Sequence, residues 1–282
     1  MLPLAMATET RPASRTAVGV ALLRAIHQLR DGAPKILDDP VAAALVGPDA
    51  LARALAAPEA FATEAMLALR AHVVLRSRFA EDCAAAAAAR GVKQLVVLGA
   101  GFDSFAYRQP DWAAGLRIFE VDHPESQRLK RERLADGGVA IPANLAYVPA
   151  DFARRSLREI LRASALDFAS PAFFSCLGVL VYLDRAAIEA LFRTVASFPP
   201  GSELVVTFTS SERAVGSAQR AADWGEPWLS RLQPEEIRAE LLRCGFASVA
   251  FLEPGEADRR YFGPRSDGLV APPRVSIARA LT

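Results

Sequence analysis

The chain has 282 residues, 52% of them hydrophobic, and 33 basic side chains balance 32 acidic ones to a formal charge of +1. That length buries a full core, as one large domain or a domain with a cap, and the balance of charge excludes a global field that recruits nucleic acid or an acidic membrane surface. Cys83, Cys176 and Cys244 are scattered without CxxC spacing, which excludes a zinc site of that kind and fits reduced cysteines of a cytoplasmic protein.

Residues 1–13 read as a loose tail. Their MLPLAMATET start has no basic n-region and too short an apolar run for a signal peptide. No stretch approaches the ~18 apolar residues of a membrane span. Ser14 is placed to cap a helix with Ala17, Val20, Ala21, Leu23 and Ile26 at helical spacing, stopped at Asp31-Gly32-Ala33-Pro34. Asp38-Asp39-Pro40 opens another short helix, Pro48 and Pro58 punctuate more, and 59–90 forms a long helical pattern stopped by Gly91. Residues 14–91 therefore read as a helical cap that covers a crevice or forms one wall of a substrate pocket.

Beyond residue 92 strands and helices alternate. Strands are expected near 95–99, 116–121, 145–149, 172–177 and 203–209, with helices near 124–135, 154–163 and 184–197 between them. Such alternation predicts an α/β fold around a mainly parallel sheet with right-handed crossovers. Residues 210–232 are polar, carry Trp224, Pro227 and Trp228, and read as an inserted lid. Pro234-Glu235-Glu236 starts a helix that ends at Cys244-Gly245. Two last strand-like runs, 247–252 and 275–281, are joined without a helix by a Gly/Pro-rich connection, which suggests a closing hairpin. The expected sheet thus has seven strands with a reversed last one, which distinguishes it from an ordinary doubly wound dinucleotide fold. Cap and sheet are expected to pack as one compact unit.

The stretch VVLGAGFDSFAYR, from Val96 to Arg108, organises the rest. An apolar run suited to a strand buried on both faces ends in Gly99-Ala100-Gly101, a turn where backbone comes close to a ligand. Asp122 ends the next apolar segment, twenty-three residues after Gly99. A strand, a glycine turn and a later acidic strand end form a nucleotide-binding crevice whose carboxylate accepts from ribose hydroxyls. Spacing alone does not distinguish cofactors. An NAD(P)-binding oxidoreductase shares the pattern, although Ser104 stands where its third glycine belongs. A non-catalytic cofactor-binding protein of the same fold is a further alternative.

Four blocks carry a resemblance: LGAGFDSFAYR (98–108), FEVDHPESQRLKRE (119–132), YVPADF (147–152) and FFSCLGVLVYLDRAAIEALF (173–192), with weaker support from SRTAVGVALLRA (14–25) and DDP (38–40). Together they resemble class I S-adenosylmethionine-dependent methyltransferases of the leucine carboxyl methyltransferase-like group, in its bacterial O-methyltransferase branch that tails polyketides. The resemblance implies S-adenosyl-L-methionine as cofactor and a Rossmann-like sheet. It puts Gly99, Ala100 and Gly101 under the aminoacyl and ribose part, Asp122 on the ribose, and Asp151 with Phe152 at the adenine. A basic residue of the leader holds the cofactor carboxylate. Arg24, Arg76 and Arg78 fall in matching regions, and Arg70 remains open. Leu177 replaces the glutamate of the eukaryotic carboxyl methyltransferases, which weakens the case for a protein C-terminus as substrate. Gly178, Val179 and Tyr182 follow near the methyl-donor end.

His123 borders the ribose site and is a weak general-base candidate, because histidine titrates near neutrality. A structural histidine fixed by the turn is the competing reading. Tyr182 is a second weak catalytic candidate or a substrate contact, and Trp224 and Trp228 line the lid or pack in a core. Methyl transfer is an in-line displacement on a group the cofactor has already activated. The protein's share is alignment and exclusion of water. The acceptor is expected to be a small molecule with a phenolic hydroxyl or a carboxylate, and no nucleic-acid partner is expected.

Overall fold

The computed structural model describes residues 14–151, 155–209, 215–263 and 265–282. The expected tail and Phe152 lie outside the described residues. In chain order the leader comprises helices α1 (Arg15–Arg30), α2 (Ala42–Val46), α3 (Pro48–Ala56) and α4 (Glu64–Ala89). It is followed by β1 (Gln94–Leu98), β2 (Arg117–Asp122), α5 (Pro124–Asp136), β3 (Leu145–Pro149), α6 (Leu157–Arg162), β4 (Phe173–Cys176), α7 (Arg185–Ala196) and β5 (Glu203–Thr207). The chain continues through α8 (Val215–Asp223), α9 (Pro234–Cys244), β6 (Ser248–Phe251), α10 (Pro254–Ala257) and β7 (Ile277–Leu281).

The strands form one sheet in the order β3-β2-β1-β4-β5-β7-β6. β1 to β5 pair in parallel, while β7 lies antiparallel to both β5 and β6. A dinucleotide fold of the ordinary kind keeps its sixth strand parallel; the reversed strand here is the one the late hairpin predicted. The connection between β6 and β7 corrects one expectation. It is not free of helix, because Pro254 starts α10 and a π-helical turn, Asp258–Phe262, follows it. The long pattern over 59–90 also divides. Pro58–Phe61 forms a 3₁₀ turn, and Thr63 then caps α4 by accepting from the Met66 N–H.

Alternation along β1 explains the layers. Val96 and Leu98 face a core built with α6, α7 and α9, whereas Leu95 and Val97 face one built on α4. A third cluster joins Ala21 and Ala25 of α1 to Leu45 of α2 and Leu134 of α5. The leader thereby lies against the sheet rather than apart from it, and its first helix reaches the carboxyl ends of the strands. Ser14 caps α1 as expected, its hydroxyl accepting from the Ala17 N–H at 3.1 Å.

Candidate cofactor crevice

The crevice opens where β1, β2 and β4 end. Register places Leu98 opposite Val121, so the turn after β1 and the end of β2 meet at one edge. The N–H groups of Gly99 and Ala100 both bond the Val121 carbonyl, at 2.8 and 3.1 Å. Gly99, Gly101 and Gly178 all adopt positive φ, at 64°, 46° and 75°. A Cβ on Gly99 would lie 2.4 Å from Val179 Cγ2, one on Gly101 3.1 Å from the Ala17 Cβ, and one on Gly178 2.8 Å from Arg76 Nη1. At all three positions a side chain would press on a neighbour from the turn after β4, from α1 or from α4, so glycine lets these elements meet closely here.

This sets opposite signs for two glycine substitutions. Gly99→Ala combines left-handed backbone with the Val179 clash, and is expected to lower stability by at least ~1–2 kcal/mol and to weaken nucleoside binding. Gly19→Ala, inside α1 with nothing within 4 Å of the new methyl, is expected to stabilise by roughly 0.5–1 kcal/mol. Thermal unfolding of both proteins checks the pair.

Asp122 stands at the crevice edge. One carboxylate oxygen accepts from the Gly101 N–H and the other from the His123 N–H at 2.6 Å. Burial pushes its pKa up, while those two N–H bonds pull against the shift. Each oxygen keeps a free lone pair, which suits a pair of vicinal hydroxyls. Asp151, half-buried, follows β3 at the next strand end. His123 is the N-cap of α5, its Nδ1 accepting from the Glu125 N–H at 3.3 Å. That fits the structural reading and leaves Nε2 as its only nitrogen for chemistry.

The four arginines separate. Arg70 is spent on Asp31, Nε and Nη2 donating at 2.8 and 2.9 Å, and on the Phe61 carbonyl. Arg24 is buried and donates from Nε to Asp39 at 2.7 Å and from Nη2 to the Phe102 carbonyl, tying α1 to the segment after the glycine turn. Arg78 is corrected as a candidate. It is half-exposed and pairs with Asp82 at 2.8 Å, because two residues along α4 from Arg76 points it to the opposite side. Arg76 is half-buried beside Gly178 and has no carboxylate within ion-pair distance among the described residues. Burial and the nearby Arg24 charge depress its pKa to about 10, so it is charged at neutral pH.

Leu177 packs toward α4 and lines a cavity of about 20 Å³ with Ser77, Glu81, Asp103 and Ser175. Tyr182 ends a 3₁₀ turn, Leu180–Tyr182, and its hydroxyl donates to Thr16 Oγ1 at 3.1 Å. The segment after α8 is fastened over this turn. The Leu229 and Ser230 N–H groups bond the Val181 carbonyl, and Ser230 Oγ donates to the Leu180 carbonyl at 2.6 Å. Trp224 is exposed at the far side, with the Arg15 guanidinium 5.6 Å from its ring centre. Trp228 is half-buried, and its indole N–H is buried without an acceptor among the described residues. Sequence reasoning missed Glu226, a buried carboxylate in this segment that meets the start of α1.

Residues 17–196 match the family model described as leucine carboxyl methyltransferase. The chain belongs to that family. A candidate S-adenosyl-L-methionine-dependent methyltransferase of Bacillus subtilis (strain 168), YktD, is 35% identical over 191 residues, 64% of this chain and 62% of the relative, so the aligned part spans under two thirds of that protein. A further relative of the same description, FRAAL3718 of Frankia alni (strain DSM 45986 / CECT 9034 / ACN14a), is 33% identical over 84% of this chain and 83% of its own length. A solved methyltransferase-like structure from Thermobifida fusca YX superposes with a TM-score of 0.59 at 20% identity, covering 96% of this chain and 95% of that one, and shares the fold. Among the described residues no helix is long and apolar enough to cross a membrane.

Proposed function

We propose that the protein is an S-adenosyl-L-methionine-dependent O-methyltransferase acting on a phenolic hydroxyl or carboxylate of a small, polyketide-like molecule. The observation that carries this reading is Arg76, a cation with no carboxylate within ion-pair distance among the described residues, in the glycine-lined crevice that Asp122 borders. Arg76 matches the cofactor's carboxylate, Asp122 its ribose hydroxyls, and the 46–75° φ values of the three glycines keep the lining clear of side chains. Asp151 is the candidate for the adenine amino group. When bound, the cofactor supplies a methyl group already activated by a sulfonium.

The protein's own share is geometric. The turn after β4 and the start of α1 hold the acceptor end, and the 224–232 segment screens it from water, so that proximity and orientation supply the acceleration. No strong base is required for a carboxylate or an acidic phenol. Neither relative nor fold neighbour speaks to the acceptor.

Calorimetric titration with S-adenosylhomocysteine tests the reading. Micromolar affinity is expected in the wild type, and Arg76→Met is expected to weaken it roughly 10–100-fold, the worth of one charge-assisted contact. A folded wild-type protein that binds no S-adenosylhomocysteine but binds NAD or NADP would overturn it. Labelled methyl transfer from S-adenosyl-L-methionine to a panel of phenolic and carboxylic polyketides then separates an enzyme from a binding protein.

A further inference from the structure

The start of α1 and the lid segment meet at one carboxylate 210 residues away in sequence. Glu226, 8% exposed, accepts from the Arg15 N–H through Oε1 at 2.7 Å, and from Ser14 Oγ at 3.0 Å and Thr16 Oγ1 through Oε2. A carboxylate only accepts, and a threonine hydroxyl has a single hydrogen to give. Ser14 Oγ, 3.0 Å from Thr16 Oγ1, gives its hydrogen to the same carboxylate, so Thr16 also spends its hydrogen on Glu226 and its oxygen is left to accept from the Tyr182 hydroxyl. Tyr182 in turn spends its own hydrogen on Thr16. Its phenolic oxygen then has only lone pairs to offer. Tyr182 is half-buried, and the Thr16 it bonds is followed by Ala17, whose Cβ lies 3.1 Å from where a side chain on Gly101 would begin, so the pair sits beside the glycine turn.

We propose that Glu226 is a positioning residue for the methyl acceptor. Acting through Thr16, it fixes Tyr182 as a hydrogen-bond acceptor toward the crevice, so that the site selects an acceptor presenting a protonated hydroxyl over one presenting a carboxylate. A hydroxyl donates to the tyrosine oxygen and is seated by that bond. A carboxylate meets that oxygen lone pair to lone pair, and leaving both buried groups unpaired is the penalty that discriminates. The inference rests on the reading of the crevice given above and narrows its acceptor to the hydroxyl class.

The chain of hydrogen bonds can be run backwards with one atom. In Glu226→Gln the amide oxygen must still serve the Arg15 N–H, so the amide nitrogen falls on the Ser14 and Thr16 side as a donor. Thr16 then accepts from it and turns its hydrogen to Tyr182, whose own hydrogen swings into the crevice. The test titrates naphthol and naphthoate into protein saturated with S-adenosylhomocysteine, for the wild type, Glu226→Gln, Thr16→Val and Tyr182→Phe. The wild type is expected to prefer naphthol roughly tenfold, the cost of one unpaired polar contact. Thr16→Val and Tyr182→Phe are expected to bring the ratio close to one, and Glu226→Gln to reverse it.

A role confined to holding α1 in place would weaken both probes together and leave their ratio alone. Each protein is first titrated with S-adenosylhomocysteine, and any variant that fails to fold is set aside because the other two still decide the ratio. Intact S-adenosylhomocysteine binding with one ratio throughout, or with neither probe bound, would overturn this proposal while the methyltransferase reading stands. Absence of S-adenosylhomocysteine binding in the folded wild type would overturn both.

Discussion

Asp122→Ala is expected to lower affinity for S-adenosylhomocysteine by at least about a hundredfold, with the protein still folded. Two charge-assisted hydrogen bonds to ribose hydroxyls are worth roughly 1.5–3 kcal/mol each, or some two to four decades together. The loss has a second source. Both carboxylate oxygens take a backbone N–H, from Gly101 and His123, and alanine leaves these to water or to nothing. Asn is no milder here. Its amide nitrogen must face one of the two N–H groups, donor against donor, so Asp122→Asn is expected to bind weakly too and to loosen the glycine turn. Titration calorimetry reads the affinity, and thermal unfolding reads the turn. An alanine variant binding as tightly as the wild type would remove Asp122 from the ribose site.

Lys130→Met is expected to cost about 3–5 kcal/mol of stability near pH 8, the usual result of stranding a buried charge. Lys130 and Glu120 are each about 1% exposed and pair at 2.7 Å. Tyr107 donates to the same carboxylate oxygen at 3.2 Å and shares a 2.7 Å bond with Tyr147, while Glu120 Oε1 has no partner among the described residues. Burial raises the Glu120 pKa to about 7 although the Lys130 charge lowers it. The folded state therefore holds a proton that the unfolded chain releases above the ordinary carboxyl value of 4.5. Between those values the native state binds more protons, so stability falls as pH rises. This group's contribution is complete below the unfolded value and lost as pH climbs through about 7. Without Lys130 the carboxylate is harder still to ionise. The penalty of Lys130→Met is accordingly expected to shrink at pH 5.5, and Glu120→Gln to flatten the profile. Urea denaturation at the two pH values measures both. A penalty independent of pH would show that lost packing, not the stranded carboxylate, is responsible.

What the sequence discloses and withholds follows from how local each signal is. The β1–glycine turn, Asp122 and the Ser14 cap are written in neighbouring residues, and each stands where the pattern put it. The reversed strand is legible because β6 and β7 are close in sequence and each pairs with the other. Helix α6 is shorter than the expected 154–163, because a capping box between Ser156 and Glu159 sets its start. The choice among arginines is illegible. Arg76 and Arg78 lie in one helical pattern, and only the packing of α4 decides which faces the crevice. Glu226 is equally hidden, since its donors sit at the other end of the chain. Glu120 looks like an irregularity in an apolar strand until α5 brings Lys130 over it.

Helix α4 behaves as a rod pinned on both sides of Arg76. Six residues before it, about 9 Å along the axis, Arg70 is clamped to Asp31. Five residues after it, Glu81 is clamped by Arg108, which also reaches Asp39. Sliding the rod would break ion pairs at both stations, so Arg76 keeps its place along the axis. The side proposed for the acceptor has no such buried ion pair among the described residues and is held by the hydrogen bonds of one carboxylate and a few loop carbonyls. Inheritance can therefore treat the two halves differently. On the proposed reading, substitutions in the 224–232 segment and the first turn of α1 can retune the guest molecule across generations without disturbing the seat proposed for the cofactor.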